Sequence, residues 1–350
     1  MAPPEFKKVL VTGANGYIGN AVARAFVRAG WLTYGLIRST SAAGVLEQEE
    51  ITPVVGSIDD IDSHKEIKSQ LPPTLDAIIS TTEDFIDYIP HYENTVKLIR
   101  ALSLTSAANG IRTLLIFTSG CKDYGIGPHY DGAAGLAPHT EESPVNAPGF
   151  VADRARLAIK ILDHKDAFAP VLVRPTNVYG RSSSYYRVFF DVAAATAAAK
   201  QPLLVTSPGN TITHALHVDD CADAYVALAE HARREEIEGG VFNMSSRRYE
   251  TLDELAKSLV AEFNIMGGIK YINETDLNGP SPWPRHFIDF PQWTSSEKIR
   301  KVTGWSDRRP LFTEALHVYR MAHDAAQSSG NENIKKVKAI TQLMFASSQT

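Results

Sequence analysis

Six short apolar runs recur along the first half of the chain: KVLVTG (8–13), LTYGLIR (32–38), TPVVGS (52–57), DAIIST (76–81), RTLLIFTSG (112–120) and APVLVRP (169–175). They are largely continuous rather than alternating, and helix-like stretches at 17–29, 91–108 and 151–166 stand among them. A strand that is apolar at nearly every position is buried on both faces, and parallel neighbours joined by crossover helices bury it that way. Right-handed crossovers turn such a chain into an α/β fold with a doubly wound parallel sheet.

Beyond residue 180 the pattern loosens. A helical pattern returns at 214–231 and again at 251–264, where Thr251 stands as N-cap three residues before Glu254. The reading is a dinucleotide-binding unit over 1–180, rejoined at about 213–232. A smaller, discontinuous substrate domain takes 181–212 and 240–330, and 331–350 is a peripheral tail.

Between the first strand and the first helix lies VTGANGYIGNAVARAF (11–26), with glycines at 13, 16 and 19. Glycine permits the tight turn and lets backbone N–H groups approach a pyrophosphate at the helix N-terminus. Asn15, Tyr17 and Ile18 complete the expected loop.

Several segments in order resemble one family. TGANGYIG is similar to the TGxxGxxG fingerprint of the short-chain dehydrogenase/reductases. Asn94 in YENTVKLIRAL, FTSGCKDYG (117–125), VRPTNVYG (173–180) and HVDDCADAY (217–225) resemble the extended branch, the NAD-dependent epimerase/dehydratase family. The resemblance spans roughly 8–305. It implies a Rossmann fold, a nicotinamide dinucleotide and a small-molecule substrate. It also places Ser57 and Ile58 beside adenine, although an Asp is usual where Ser57 stands, and Pro175, Asn177 and Val178 at the nicotinamide end. Thr81, at the tip of the fourth strand, joins the expected cofactor set.

The second strand ends in Arg38-Ser39-Thr40 without the carboxylate that binds a ribose diol. Arg38 and Ser39 suit a 2′-phosphate, so NADP is expected over NAD.

The family's proton chemistry uses Tyr-x-x-x-Lys and a Ser or Thr. None of the 13 tyrosines lies four residues before a lysine. In GFVADRARLAIKIL (149–162) the Tyr position falls on Phe150, Val151 or Ala152, and the Lys position on Arg154, Ala155 or Arg156. The Ser/Thr position falls on Gly120, with Ser119 beside it. Substitutes in the following loop are Lys122 and Tyr124, with Asp123, Cys121, His129 and Tyr130 nearby; Arg154 is a candidate cation. Ser184, Tyr185, Tyr186 and Phe150 are candidate substrate contacts, with Arg181, Arg187, Trp283, Phe287 and Trp293 as further wall residues. His214 and His217 bracket a strand-like turn, and His217 is expected to brace the helix that follows.

Composition narrows the remaining classes. A chain of 350 residues with 44% hydrophobic and 21% charged residues can bury a core without staples. A net charge of −5 argues against nucleic acid or an anionic membrane as partner. Two cysteines, Cys121 and Cys221, point to a reducing compartment, and no metal-ligand spacing is present. No signal core or membrane-length apolar run occurs, so a cytoplasmic protein is expected, with a homodimer as one possible state. The expected function is an atypical NADP(H)-dependent oxidoreductase for a small, rather hydrophobic molecule. Two readings stay open beside it: a non-redox isomerase, dehydratase or cyclase, and a non-enzymatic NADP(H) sensor.

Overall fold

The computed structural model describes residues 6–182, 185–277, 283 and 290–347, with side chains placed through residue 339. Ser184 and Phe287 lie outside the described residues. The six apolar runs, joined by a seventh strand at Val241–Met244, form one seven-stranded sheet. Its strands are β1 (Lys8–Thr12), β2 (Leu32–Ile37), β3 (Thr52–Val55), β4 (Ala77–Ser80), β5 (Leu114–Thr118), β6 (Ala169–Pro175) and β7 (Val241–Met244). The order across the sheet is β7-β6-β5-β4-β1-β2-β3, and every pairing is parallel. The order reverses between β1 and β4, and in doubly wound sheets ligands bind outside the strand C-termini at that reversal.

Helices α1 (Tyr17–Arg28), α2 (Tyr88–Ala108) and α3 (Ala152–Ala158) belong to this half. The central strands are buried on both faces, while the edge strand β3 is only partly covered, and two apolar clusters flank the sheet. On one side Val9, Val11 and Ile79 meet Phe26 of α1 and Tyr225. On the other, Leu10, Ile78 and Leu115 meet Val96, Ile99 and Leu157.

Among the helices that follow are α4 (Arg187–Ala199), α5 (Val218–Ala229), α6 (Leu252–Glu262), α7 (Leu316–Ser328) and α8 (Glu332–Ser347). Helix α5 returns to the sheet, where its Tyr225 hydroxyl bonds Thr118. Helices α4, α6 and α7 enclose a third core rich in rings, including Tyr179, Tyr186, Phe189, Phe312 and Tyr319. Thr251 caps α6 in the expected reciprocal box with Glu254. His217 caps α5, its ring accepting from the Asp219 amide. Among the described residues no helix is long and apolar enough to cross a membrane.

Candidate functional site

The turn after β1 is held by Gly13 at φ +67°, whose carbonyl accepts the Gly16 N–H at 2.8 Å. A Cβ on Gly19 would run into the Gly13 carbonyl oxygen and stand 2.6 Å from Thr81 Oγ1. The helix therefore starts as close to the loop as a bare backbone allows. Gly16 is the N-cap of α1, no side chain caps it, and the first turn holds no acid. The first amides of a helix have no intrahelical partner and carry a partial positive charge, so this end suits an anion. Thr81 ties the tips of β1 and β4 together: its hydroxyl donates to the Thr12 carbonyl at 2.6 Å and its amide to Thr12 Oγ1 at 3.2 Å. This turn, with its crowded glycine and open helix end, fits a dinucleotide phosphate.

Two cavities meet at this turn. The larger, about 350 Å³, is lined by Gly16, Tyr17, Ile18, Gly19 and Thr81 from the cofactor loop side, and by Pro175, Asn177 and Val178 beyond β6. Ser119, Lys122, Phe150, Arg154 and Tyr185 line it as well. The smaller, about 200 Å³, is lined by Gly13, Asn15, Arg38 and Ile58, and Gly16 and Thr81 reach both. Ser39 and Ser57 line neither. Ser39 accepts from the Ser41 amide to cap a short turn, and the Ser57 amide donates to Ser63 Oγ. In the position beside Ile58 it is Asp59 that reaches the smaller cavity, paired with His91 Nδ1 at 2.7 Å.

Around the loop after β5 the charges are tightly arranged. Asp123 is fully buried. It accepts from Ser119 Oγ at 2.5 Å, from Arg154 Nε and Nη2 at 3.1 and 2.9 Å, and from Arg174 Nε at 3.2 Å. Arg154 Nη1 also donates to Glu83 Oε1 at 3.1 Å. Burial works against the Arg154 charge, but Glu83 and Asp123 outweigh it and its pKa rises. Burial raises the Glu83 carboxyl above its ordinary range, with Arg154 opposing. The candidate cation Arg154 is thus already balanced by two carboxylates.

The Ser119 proton goes to Asp123, which leaves that hydroxyl as an acceptor rather than the donor a carbonyl needs. Lys122 is different. Burial, reinforced by the Arg154 charge, pushes its pKa down to about 7, and its ammonium lies 3.7 Å from the centre of the Phe290 ring. It lines the larger cavity.

Three aromatic side chains lie elsewhere than expected. Tyr124 does not reach either cavity: it is buried, donates to Asn243 Oδ1 at 2.8 Å and accepts from Arg174 Nη1 at 3.1 Å. Burial pushes its pKa up to about 12, so it is a strut and not an acid. Tyr186 packs edge-on against Phe189 and Phe312 in the third core instead of lining a pocket, because α4 turns that face inward. Trp283 is likewise core, donating from its ring to the Leu204 carbonyl at 2.7 Å.

Cys121 is a buried thiol whose pKa is pushed up to about 12 by burial. His129 holds its own loop, accepting from the Trp293 amide and bonding the Ala137 carbonyl. Arg181 and Arg187 pair with Asp219 and Asp191, and His214 accepts from the Thr294 amide. Trp293 packs edge-on against Tyr249. Tyr185 lines the cavity, yet burial and the Glu83 charge push its pKa up to about 12. Among the described residues no cluster could hold a metal ion.

Sequence reasoning missed Glu83, the central place of Asp123, the Asp59–His91 pair, and the segment 333–337. Glu83 had a signal, since it follows β4 by three residues at the switch point. The last residues had none: Asn333, Lys336 and Val337 line the larger cavity although the tail was expected to be peripheral.

Known proteins share this architecture. The crystal structure of dTDP-glucose 4,6-dehydratase from Bacillus anthracis in complex with NAD superposes with a TM-score of 0.68 at 16% identity, covering 92% of this chain and 98% of that one. UDP-glucuronic acid 4-epimerase from Bacillus cereus, in complex with UDP-glucuronic acid and NAD, gives 0.66 at 16% identity over 91% and 99%. At such identities the likeness is one of fold. In sequence, the probable GDP-L-fucose synthase 1 of Oryza sativa is 23% identical over 332 residues, 89% of this chain and 91% of that protein. The sequence model of the NAD dependent epimerase/dehydratase family matches residues 9–245, and the chain belongs to that family.

Proposed function

We propose that the protein is an NADP(H)-dependent oxidoreductase in which Lys122 takes over the proton transfer that the family assigns to tyrosine. The observation that carries this is Lys122: a lysine in the cavity wall whose pKa of about 7 lets it give or take a proton near neutral pH. Gly16, Ile18, Asn177 and Val178 would hold the nicotinamide end of the dinucleotide, which would supply hydride exchange with the substrate carbon. In the reducing direction the Lys122 ammonium gives a proton to the oxygen that gains charge. In the oxidising direction the neutral amine takes it back. Arg154, fixed by Glu83 and Asp123, gives the cavity floor a set geometry and lowers the Lys122 proton affinity.

Arg38 supports NADP over NAD. It is exposed, lines the smaller cavity with Gly13 and Asn15, and is in no ion pair among the described residues. Arg38→Ala is expected to weaken NADPH by about tenfold or more, as losing a charge-assisted phosphate contact implies, and NADH hardly at all. Equal losses in a fluorescence titration would remove the 2′-phosphate role.

The cavity wall also carries Ile18, Phe85, Phe150, Val151 and Val178, which suits a small, largely apolar carbonyl or alcohol. A second reading, a sugar-nucleotide substrate, has the relatives behind it, since the similar proteins named above act on dTDP-glucose and UDP-glucuronic acid or make GDP-L-fucose. A turnover screen with NADPH over both substrate classes decides between them. Loss of turnover in Lys122→Met with dinucleotide binding retained supports the acid role; unchanged turnover rejects it.

A further inference from the structure

The tail brings a charge to the place where the two cavities meet. Helix α8 is anchored by Ile334, which is 3% exposed, and by Lys338 Nζ, which donates to Gln327 of α7 at 2.9 Å. Asn331 accepts the Asn333 amide at 3.0 Å at the start of the helix. Asn333, Lys336 and Val337 are spaced three and four apart, so one face of the helix is turned to the cavity. Lys336 alone of these reaches both cavities. The other residues common to both are Gly16, Thr81 and Glu83. Gly16 is the N-cap of α1, Thr81 ties the tips of β1 and β4 beside it, and Glu83 is engaged with Arg154. Lys336 itself is in no ion pair among the described residues, while its neighbour Lys335 takes Glu332.

A dinucleotide spans two such cavities with one ring system in each, and its two phosphates lie between them. We propose that Lys336 is a pyrophosphate-binding residue, delivered by the C-terminal helix from outside the stretch that defines the family, and that α8 closes over the cofactor. The proposal rests on the dinucleotide reading above. Lys336 adds a positive charge to cavity walls it shares with Gly16, the N-cap of α1, so the phosphates meet positive potential from two elements far apart in sequence. No catalytic step passes through it.

The test is a fluorescence titration of the full-length protein with NADPH and with NADH, at low and high salt. Lys336→Ala is expected to weaken both dinucleotides by a similar factor, roughly tenfold for a lost charge-assisted phosphate contact. The same variant flattens the salt dependence of binding. Lys336→Arg restores most of the affinity. In the wild type, NADPH slows amide hydrogen exchange over 332–339, and Lys336→Ala reduces that protection. Because the side chain is exposed, the variant keeps its thermal midpoint without cofactor. Unchanged affinity in Lys336→Ala overturns the proposal and leaves the dinucleotide reading standing. A loss confined to NADPH also overturns it, since the lysine then reads the 2′-phosphate. A wild type that binds neither dinucleotide sinks both.

Discussion

Lys122 and Asp123 are neighbours in sequence with opposite solutions to burial. Asp123 has its charge met by two arginines and a hydroxyl. Removing it leaves Arg154 and Arg174 facing a hole, and breaking a buried ion pair from one side costs about 3–5 kcal/mol. Asp123→Ala is therefore expected to lower the denaturation midpoint sharply, and a shift under about 1 kcal/mol in urea melts would contradict the network's weight.

Lys122 instead gives up proton affinity. Its pKa falls from 10.5 to about 7 on folding, so between those values the unfolded chain holds more protons and stability rises with pH. Below about 7 the full burial penalty applies. Lys122→Met should raise the melting temperature by a few degrees at pH 6 and by much less near pH 10, as followed by circular dichroism. The opposite ordering would mean that the ammonium is well solvated.

At the scale of elements, strands were the most legible part of the chain. The sixth run, 169–175, coincides with β6, and the capping box marks the start of α6. Both are local signals: an unbroken apolar run, and a Thr with its Glu three residues on. The glycine turn was equally readable, because its spacing is dictated by backbone contact. What escaped was whatever depends on contact between distant segments. Tyr124 and Lys122 looked alike as candidate acids two residues apart, and only the short turn Cys121–Tyr124 shows one facing Asn243 and the other the cavity. Tyr185 and Tyr186 were divided in the same way by the start of α4. A prediction belongs to the turn itself. Gly19→Ala drives a methyl toward the Gly13 carbonyl and Thr81, and overpacking of this kind costs about 1–3 kcal/mol. The loop must shift, so dinucleotide affinity is expected to fall further than stability does; calorimetric titration beside a thermal melt separates the two effects.

The whole molecule is tied together late. Tyr179, Tyr186 and Phe189 come before the last strand of the sheet, yet they are covered by Phe312 and Tyr319 far beyond it. Asp220 of α5 receives the Arg309 amide at 2.9 Å and its guanidinium at 2.9 Å, and its carbonyl accepts from Trp305 at 3.1 Å. A fragment ending at residue 245, where the family match ends, exposes those rings. It is expected to aggregate or melt without a cooperative transition, as size-exclusion chromatography and calorimetry can show. Its folding as a soluble monomer would mean that the two cores are independent. The cavity wall runs from Gly16 to Val337. During synthesis the glycine turn leaves the ribosome early, but the pocket has no complete wall until Val337 has been added. A chain cut short of residue 333 thus carries the glycine turn without its last cavity wall, so closure of the pocket signals that synthesis has passed that point.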